Sequence, residues 1–348
     1  MEVSAVNSQS RYVVTRTPLR VSLFGGGSDL PSYYLESGRG AALSFATDRA
    51  TFVTVKRHTE FFDDKFRLNY VVSETVDTIA EIKNNIARET LQYLGNEGRL
   101  YISTISDLPS GNGLGSSSSF CVGLLNALHM FADQSISLLD LAEKACHIEI
   151  ERVGSPIGKQ DQYACALGGI NRLEFMANGT VIATRVPNGL KIMQSVSKSS
   201  VLLWTGVSRN ANSVLAVQDQ RNQLKSNQDY LDKMVKLADD AFQMFCHDTM
   251  DAQNLGAMLH EGWCLKKSLT ELISNGSIDS LYADALQQGA FGGKLLGAGG
   301  GGFLLLVFPP EKIDAYIEKM KNAGTKFLRI VPSEAGSQIV CQVPGNGT

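Results

Sequence analysis

The chain has 348 residues, a formal net charge of −3, and 19% charged against 43% hydrophobic residues. That balance supplies a core for one large or two modest domains and excludes a disordered chain. It also argues against nucleic acid as a partner, because such binding leaves a basic footprint. The six cysteines form no C-x-x-C pair, the five histidines are scattered, and no stretch approaches about 18 apolar residues. Reduced thiols in a cytoplasmic protein, no metal site built from Cys and His, and no membrane partner are the expectations. Met1–Ser10 lacks a basic region followed by an apolar run, so no secretory signal is expected.

Tyr12–Thr17 and Arg20–Phe24 read as strands, ended by Gly25, Gly26 and Gly27 ahead of Ser28, Asp29 and a turn at Pro31. Phe52–Lys56 and Phe66–Val72 are further strands. Ile79, Ile82, Ile86 and Leu94 share a helical face, which predicts an amphipathic helix over Ile79–Leu94. Leu100–Ile105 is a strand leading into a glycine- and serine-rich segment. Ser116–Ala132 then reads as a buried helix, and Ser137 with Asp140 opens another to about Arg152. After Lys159–Gly168 come strands Ile170–Phe175 and Thr180–Val186, and Pro187–Lys198 is the expected domain connection. The second half opens with strand Val201–Thr205. Helices follow over Asn210–Leu224, Asp229–Cys246, Asp251–Ile273 and Ile278–Gln288. Gly289–Gly302 feeds strand Phe303–Phe308, and helix Glu311–Asn322 and strand Lys326–Val331 close the chain. Without a repeated βαβ rhythm, the pattern predicts an α+β protein of two domains, 1–190 and 191–348.

The strongest chemical signal is Leu108–Ser119. Gly111, Gly113 and Gly115 let backbone approach a bulky anion, and the serines after them open a helix whose free N–H groups and dipole favour phosphate. Serine hydroxyls can ligate Mg²⁺ or a phosphate oxygen. A ligand-free surface turn is the plainer alternative. Neither Gly158-Lys159 nor Gly293-Lys294 is followed by Ser or Thr, so no P-loop is present. Protein-kinase signatures are missing, and the spacing does not suit a dinucleotide fold.

Pro109–Ser118 resembles the second motif of the GHMP kinases, the galactokinase, homoserine, mevalonate and phosphomevalonate kinase superfamily. Thr17–Asp29 resembles their N-terminal motif and Lys294–Phe303 their C-terminal one, in the family's order. The Gly25-Gly-Gly-Ser-Asp29 turn, Gly158–Tyr163 and Gly168–Asn171 are similar to the bacterial D-glycero-D-manno-heptose 7-phosphate kinases. Galactokinases usually carry Gly-Glu-His-Thr-Asp in that turn. The resemblance implies an N-terminal domain of mixed sheet and helices, a ferredoxin-like C-terminal domain, and ATP with Mg²⁺. The implied reaction carries the γ-phosphoryl to the anomeric hydroxyl of a heptose phosphate; a fucokinase- or galactokinase-like kinase of another sugar, or a non-catalytic ATP-binding protein on the same scaffold, is the alternative. A homodimer is compatible with it.

The resemblance also distributes roles. Pro109, Gly111, Gly113, Leu114, Gly115, Ser116, Ser117 and Ser118 would hold ATP. Asp161 falls where the family places its catalytic aspartate, although an Asp there could equally cap a helix. Arg20 would steady the transferred phosphoryl, and Glu151 with Ser117 would ligate Mg²⁺, Glu149 and Ser116 competing for those places. Asp29, beside Gly26 and Gly27, would accept bonds from sugar hydroxyls. Gly299 and Gly300 would complete the cleft from the second domain, and Lys159 and Arg209 are candidate anchors for a sugar phosphate.

Overall fold

The computed structural model describes residues 12–207 and 211–344. Twelve strands form two sheets among these residues. The first sheet contains β1 (Tyr12–Phe24), β2 (Arg39–Arg57), β3 (Phe66–Asn69), β4 (Ser73–Val76), β5 (Leu100–Ser106), β6 (Ile170–Met176) and β7 (Val181–Arg185). The second is antiparallel and contains β8 (Ser200–Trp204), β9 (Gly292–Leu295), β10 (Phe303–Val307) and β11 (Phe327–Leu328), in the order β11-β8-β10-β9. That order, with helices in the crossovers, is ferredoxin-like, as expected. The last strand, β12 (Gln338–Val343), returns to the first sheet and pairs antiparallel with β1.

Residues 191–348 are therefore not one continuous domain. Ser337 anchors the returning segment, meeting Thr17 Oγ1 at 2.8 Å and accepting from Asn126 Nδ2 at 3.0 Å. Pro187–Lys198 is likewise no loose connection. It contains helix Gly189–Ser197, which buries Ile192, Met193 and Val196.

The two expected N-terminal strands are one strand, irregular at Pro18. Proline has no N–H to give the ladder, and the β1–β2 register shifts between Pro18 and Arg20. Arg20 N–H bonds instead to Leu114 O at 2.9 Å, tying the strand to the glycine loop. Leu19, Val21 and Leu23 alternate with Arg20 and Ser22, yet all five are buried. Both faces of this half-strand are covered, which is why its polar residues face a cleft rather than open water.

The other helices are α1 (Pro31–Ser37), α2 (Asn85–Tyr93), α3 (Ser116–Phe131), α4 (Leu138–Cys146), α5 (Gln160–Leu167), α6 (Gly189–Ser197, above), α7 (Ala211–Gln223), α8 (Gln228–Cys246), α9 (Ala252–Lys267), α10 (Gly276–Gln287) and α11 (Pro310–Asn322). One core runs from Leu43 and Phe45 on β2 through Leu231 on α8 and Trp263 on α9 to Leu304 and Leu306 on β10. The sheets are thus welded by shared apolar burial, with the cleft at their seam. The expected helix over Ile79–Leu94 starts late: Ile79–Glu81 is a single 3₁₀ turn, and α2 begins after Asn84, whose side chain caps it.

Candidate active site

Gly111, Gly113 and Gly115 all take positive φ, +73°, +85° and +75°. The loop is thereby wound against the start of α3 in a conformation that L side chains resist. No side chain among the described residues caps α3, which leaves its first-turn N–H groups open toward the loop. Beside it lies a cavity of about 630 Å³ lined by Pro109, Gly111, Ser116 and Ser117, with Thr51, Tyr70, Asn84 and Phe120 as its outer wall. An uncapped helix start, serine hydroxyls and flanking aromatic rings suit a nucleotide polyphosphate.

Gly113 and Leu114 do not line that cavity; they join the loop to the rest of the site. A Cβ on Gly113 would stand 2.5 Å from Leu296 O, and one on Gly297 would stand 2.6 Å from Gly113 Cα. Phe303 N–H donates to Asn112 O at 3.2 Å. The two glycine segments, nearly 200 residues apart, touch backbone to backbone, which only glycine permits here. Gly299 and Gly300 do not reach the cleft. A Cβ on Gly299 would meet Ile273, and Gly300 N–H donates to Ile273 O at 2.8 Å, so both pack inside the second domain. Gly297 and Ala298 line the cleft instead.

A second cavity, on the far side of the loop, is lined by Arg20, Ser22, Gly26, Gly27, Asp29, Gln160, Asp161, Gln218 and Lys266 among others. Arg20 joins the two. Its Nε and Nη2 donate to the Asp161 oxygens at 2.7 and 2.6 Å, and its Nη1 donates to Gly113 O at 2.7 Å. Burial works against the Arg20 charge, but Asp161 outweighs it and holds the guanidinium protonated. Asp161 lies in the first turn of α5, with Lys159 at the cap position, so its side chain is not a helix cap.

Asp29 is 8% exposed and accepts from Gly27 N–H at 2.9 Å and Gln160 N–H at 3.2 Å. Burial pushes its carboxyl above the usual range, the two backbone donors pulling the other way. Gly158 makes room: a Cβ there would stand 2.0 Å from Asp29 Oδ2.

Glu151, expected beside the phosphate loop, lies away from the serine run, and Glu149 takes that place. The Glu151 side chain is 69% exposed and pairs with His147 at 2.8 Å. Glu149 is 1% exposed, accepts from Ser117 Oγ at 2.6 Å, and from Gln162 Nε2 at 2.7 Å. The cause is local. The helix widens into a π turn over His147–Arg152, closed by Val153 N–H to Ile148 O, and Glu149 is turned inward with Ile148. Burial raises the Glu149 carboxyl despite its donors Ser117, Ser118 and Gln162. A buried carboxylate beside a serine hydroxyl on the rim of the phosphate loop is a hard-oxygen pair that fits Mg²⁺, which takes one or two protein oxygens and keeps its waters. Ser116 lines the same cavity as Ser117, and Glu149 takes its serine bond from Ser117.

Lys159 also leaves the cleft. Its Nζ donates to Gly179 O at 2.7 Å and lies over the Tyr34 ring. Arg209 lies outside the described residues. The cation the sequence reading missed is Lys266 on α9, 5% exposed, lining the acceptor cavity and donating to Gly297 O. Burial, helped by Arg20, pushes its amine down to about 8. It follows Leu255, Leu259 and Trp263 along the buried stripe of α9, and that spacing was the available signal. Behind it Lys294 is fully enclosed, donating to Ser22 O and Leu23 O at 3.0 Å each.

A two-layered α+β chain with a glycine-lined anion cradle facing a carboxylate-lined acceptor cavity has the form of a small-molecule phosphotransferase. Residues 77–169 match the GHMP kinases N terminal domain, and residues 244–326 match the GHMP kinases C terminal domain. The D-glycero-alpha-D-manno-heptose 7-phosphate kinase of Campylobacter jejuni is 30% identical over 325 residues, covering 87% of this chain and 91% of that protein. A galactokinase of Pyrococcus furiosus is 24% identical, over 91% of this chain and 93% of its own. Among solved structures, a D-glycero-D-manno-heptose 1-phosphate kinase from Bacteroides thetaiotaomicron superposes with a TM-score of 0.77 at 22% identity, over 94% of this chain and 99% of that one. The chain belongs to the GHMP kinases and is a sugar kinase of that family. No helix among the described residues is long and apolar enough to cross a membrane.

Proposed function

We propose that the protein transfers the γ-phosphoryl of ATP to the anomeric hydroxyl of D-glycero-D-manno-heptose 7-phosphate, giving the 1,7-bisphosphate. The observation that carries the reading is the Arg20 bridge, one guanidinium bound at once to the phosphate loop and to the acceptor-side carboxylate Asp161. ATP lies with its phosphates on Ser116, Ser117 and the N–H groups of the α3 start. Asp161 orients the acceptor hydroxyl and takes its proton as oxygen bonds to the γ-phosphorus and the bond to the β-phosphate oxygen breaks, releasing ADP. Arg20 and Lys266 place positive charge where the moving phosphoryl spreads its negative charge. Glu149 and Ser117 would hold Mg²⁺, whose chemistry there would be to offset phosphate negative charge. Transfer is direct, with no covalent enzyme intermediate. Asp29, Gly26 and Gly27 form the wall against which the sugar lies.

The heptose assignment rests on the Campylobacter relative and on the Gly25–Asp29 turn. ADP release with ATP, Mg²⁺ and a panel of heptose 7-phosphate, heptose, fucose and galactose tests it. Turnover confined to unphosphorylated sugars would overturn the acceptor and leave the kinase; no turnover with any sugar would overturn both.

A further inference from the structure

The acceptor cavity contains a polar group that the reaction above leaves unused. Gln218 on α7 is 1% exposed and lines the cavity, and its Nε2 has no hydrogen-bond partner among the described residues. A buried amide donor without an acceptor is costly, and folded chains keep few of them. Its position is built. Gly27 has φ +104°, and a Cβ there would stand 2.4 Å from Gln218 Nε2, so any larger residue would displace the amide. The same Gly27 gives its own N–H to Asp29 Oδ1 at 2.9 Å. One glycine is thus flanked by an acceptor from the N-terminal motif and an orphan donor from the helix that follows β8.

We infer that Gln218 and Asp29 together read one hydroxyl of the sugar acceptor, the hydroxyl donating to Asp29 and accepting from Gln218 Nε2. This rests on the cleft's being the sugar site proposed above. A hydroxyl can donate and accept at once. A phosphate offers chiefly acceptors and would meet the Asp29 carboxyl as a like charge. An apolar carbon would leave both groups unmet. The hydroxyl read here is distinct from the one Asp161 engages, because Asp161 is bound to Arg20 and the loop side of the cavity. Gln218 is therefore a specificity-determining residue lying outside all three glycine motifs.

The test compares wild type with Gln218→Leu on the sugar that wild type phosphorylates and on its monodeoxy analogues, by ADP release. Wild type should lose on the order of 100-fold in kcat/KM on one analogue, the one lacking the hydroxyl that is read. Gln218→Leu should raise the KM of the parent sugar by roughly tenfold or more, leave the KM of ATP unchanged, and narrow the gap between that analogue and the parent, the remainder being the Asp29 contact. Its thermal midpoint should equal or exceed that of wild type, because leucine removes an orphan donor, and so a folding defect is told apart. An acceptor KM within about twofold of wild type, meaning that water alone satisfies Gln218, overturns the inference and leaves the kinase reading intact. A wild-type chain inactive on every sugar overturns both.

Discussion

Replacing Glu149 and Glu151 separately by glutamine gives two perturbations, two residues apart, with opposite expected outcomes. Glu149 is 1% exposed and takes Ser117 Oγ and Gln162 Nε2 on its two oxygens. Glutamine keeps one acceptor oxygen and presents an NH₂ to the other donor. One buried hydrogen bond is lost, a cost of about 1–3 kcal/mol. Removing a buried carboxylate that burial already disfavours offsets part of it. The variant should therefore fold with stability within about 2 kcal/mol of wild type. Activity should fall far more. Loss of a metal-holding charge at the phosphates is expected to lower kcat by about 10²-fold or more, the scale of a removed electrostatic stabiliser. The Mg²⁺ concentration for half-maximal rate should also rise. Glu151→Gln forfeits an exposed pair with His147, worth at most about 1 kcal/mol, and should leave kcat and the Mg²⁺ dependence unchanged. ADP release titrated with Mg²⁺ reads both. A normal Mg²⁺ response in Glu149→Gln, with an impaired one in Glu151→Gln, would refute the reasoning.

Asp161→Asn should cut kcat by about 10²–10⁴-fold while ATP still binds; near-normal turnover would remove Asp161 from the chemistry. Asp161→Ala should in addition cost about 3–5 kcal/mol of stability by leaving Arg20 buried without its partner, read as a lowered denaturant midpoint. Gly113→Ala combines a φ of +85° with a Cβ 2.5 Å from Leu296 O, so nucleotide affinity by titration should drop more than about tenfold; unchanged affinity would mean that the glycine contact is dispensable. Lys266, facing Arg20, Asp29, Asp161 and Lys294, has an amine near 8. Turnover should fall as pH rises through about 8, and Lys266→Arg should move that limb upward. The folded amine lies below the unfolded value of about 10.4, so the unfolded chain binds more protons between these values. Wild-type stability should therefore rise with pH across that window relative to Lys266→Met, and parallel profiles would contradict the burial of a titrating amine.

Much of this was legible in the sequence because glycine is a backbone statement. Gly111, Gly113, Gly115 and the Lys294–Phe303 run pointed to close approach, and the structure brings Gly113 into backbone contact with Leu296 and Gly297. Strands β8 and β10 and helices α7 to α11 were legible from residue pattern, as was Ser137 capping α4 in the first half, whereas β9 lay hidden in the glycine-rich run. What escaped were effects of distant chain on local pattern. Strand β12 has no buried residue, so its sequence carries no burial pattern, and only pairing with β1 defines it. Glu149 follows Ala142 and Ala145 on the apolar face of its helix, which alone would have ranked it above Glu151. Lys266 and Gln218 carried no motif; only the seam between the sheets gives them a shared cavity.

The most direct measurement is the proton-coupled ³¹P spectrum of the product formed from ATP, Mg²⁺ and D-glycero-D-manno-heptose 7-phosphate. The account predicts a second phosphomonoester resonance on the sugar, split by the single anomeric proton, appearing in step with ADP and absent with Asp161→Asn. A new phosphate on any other carbon, or ADP formed with inorganic phosphate alone, would contradict it.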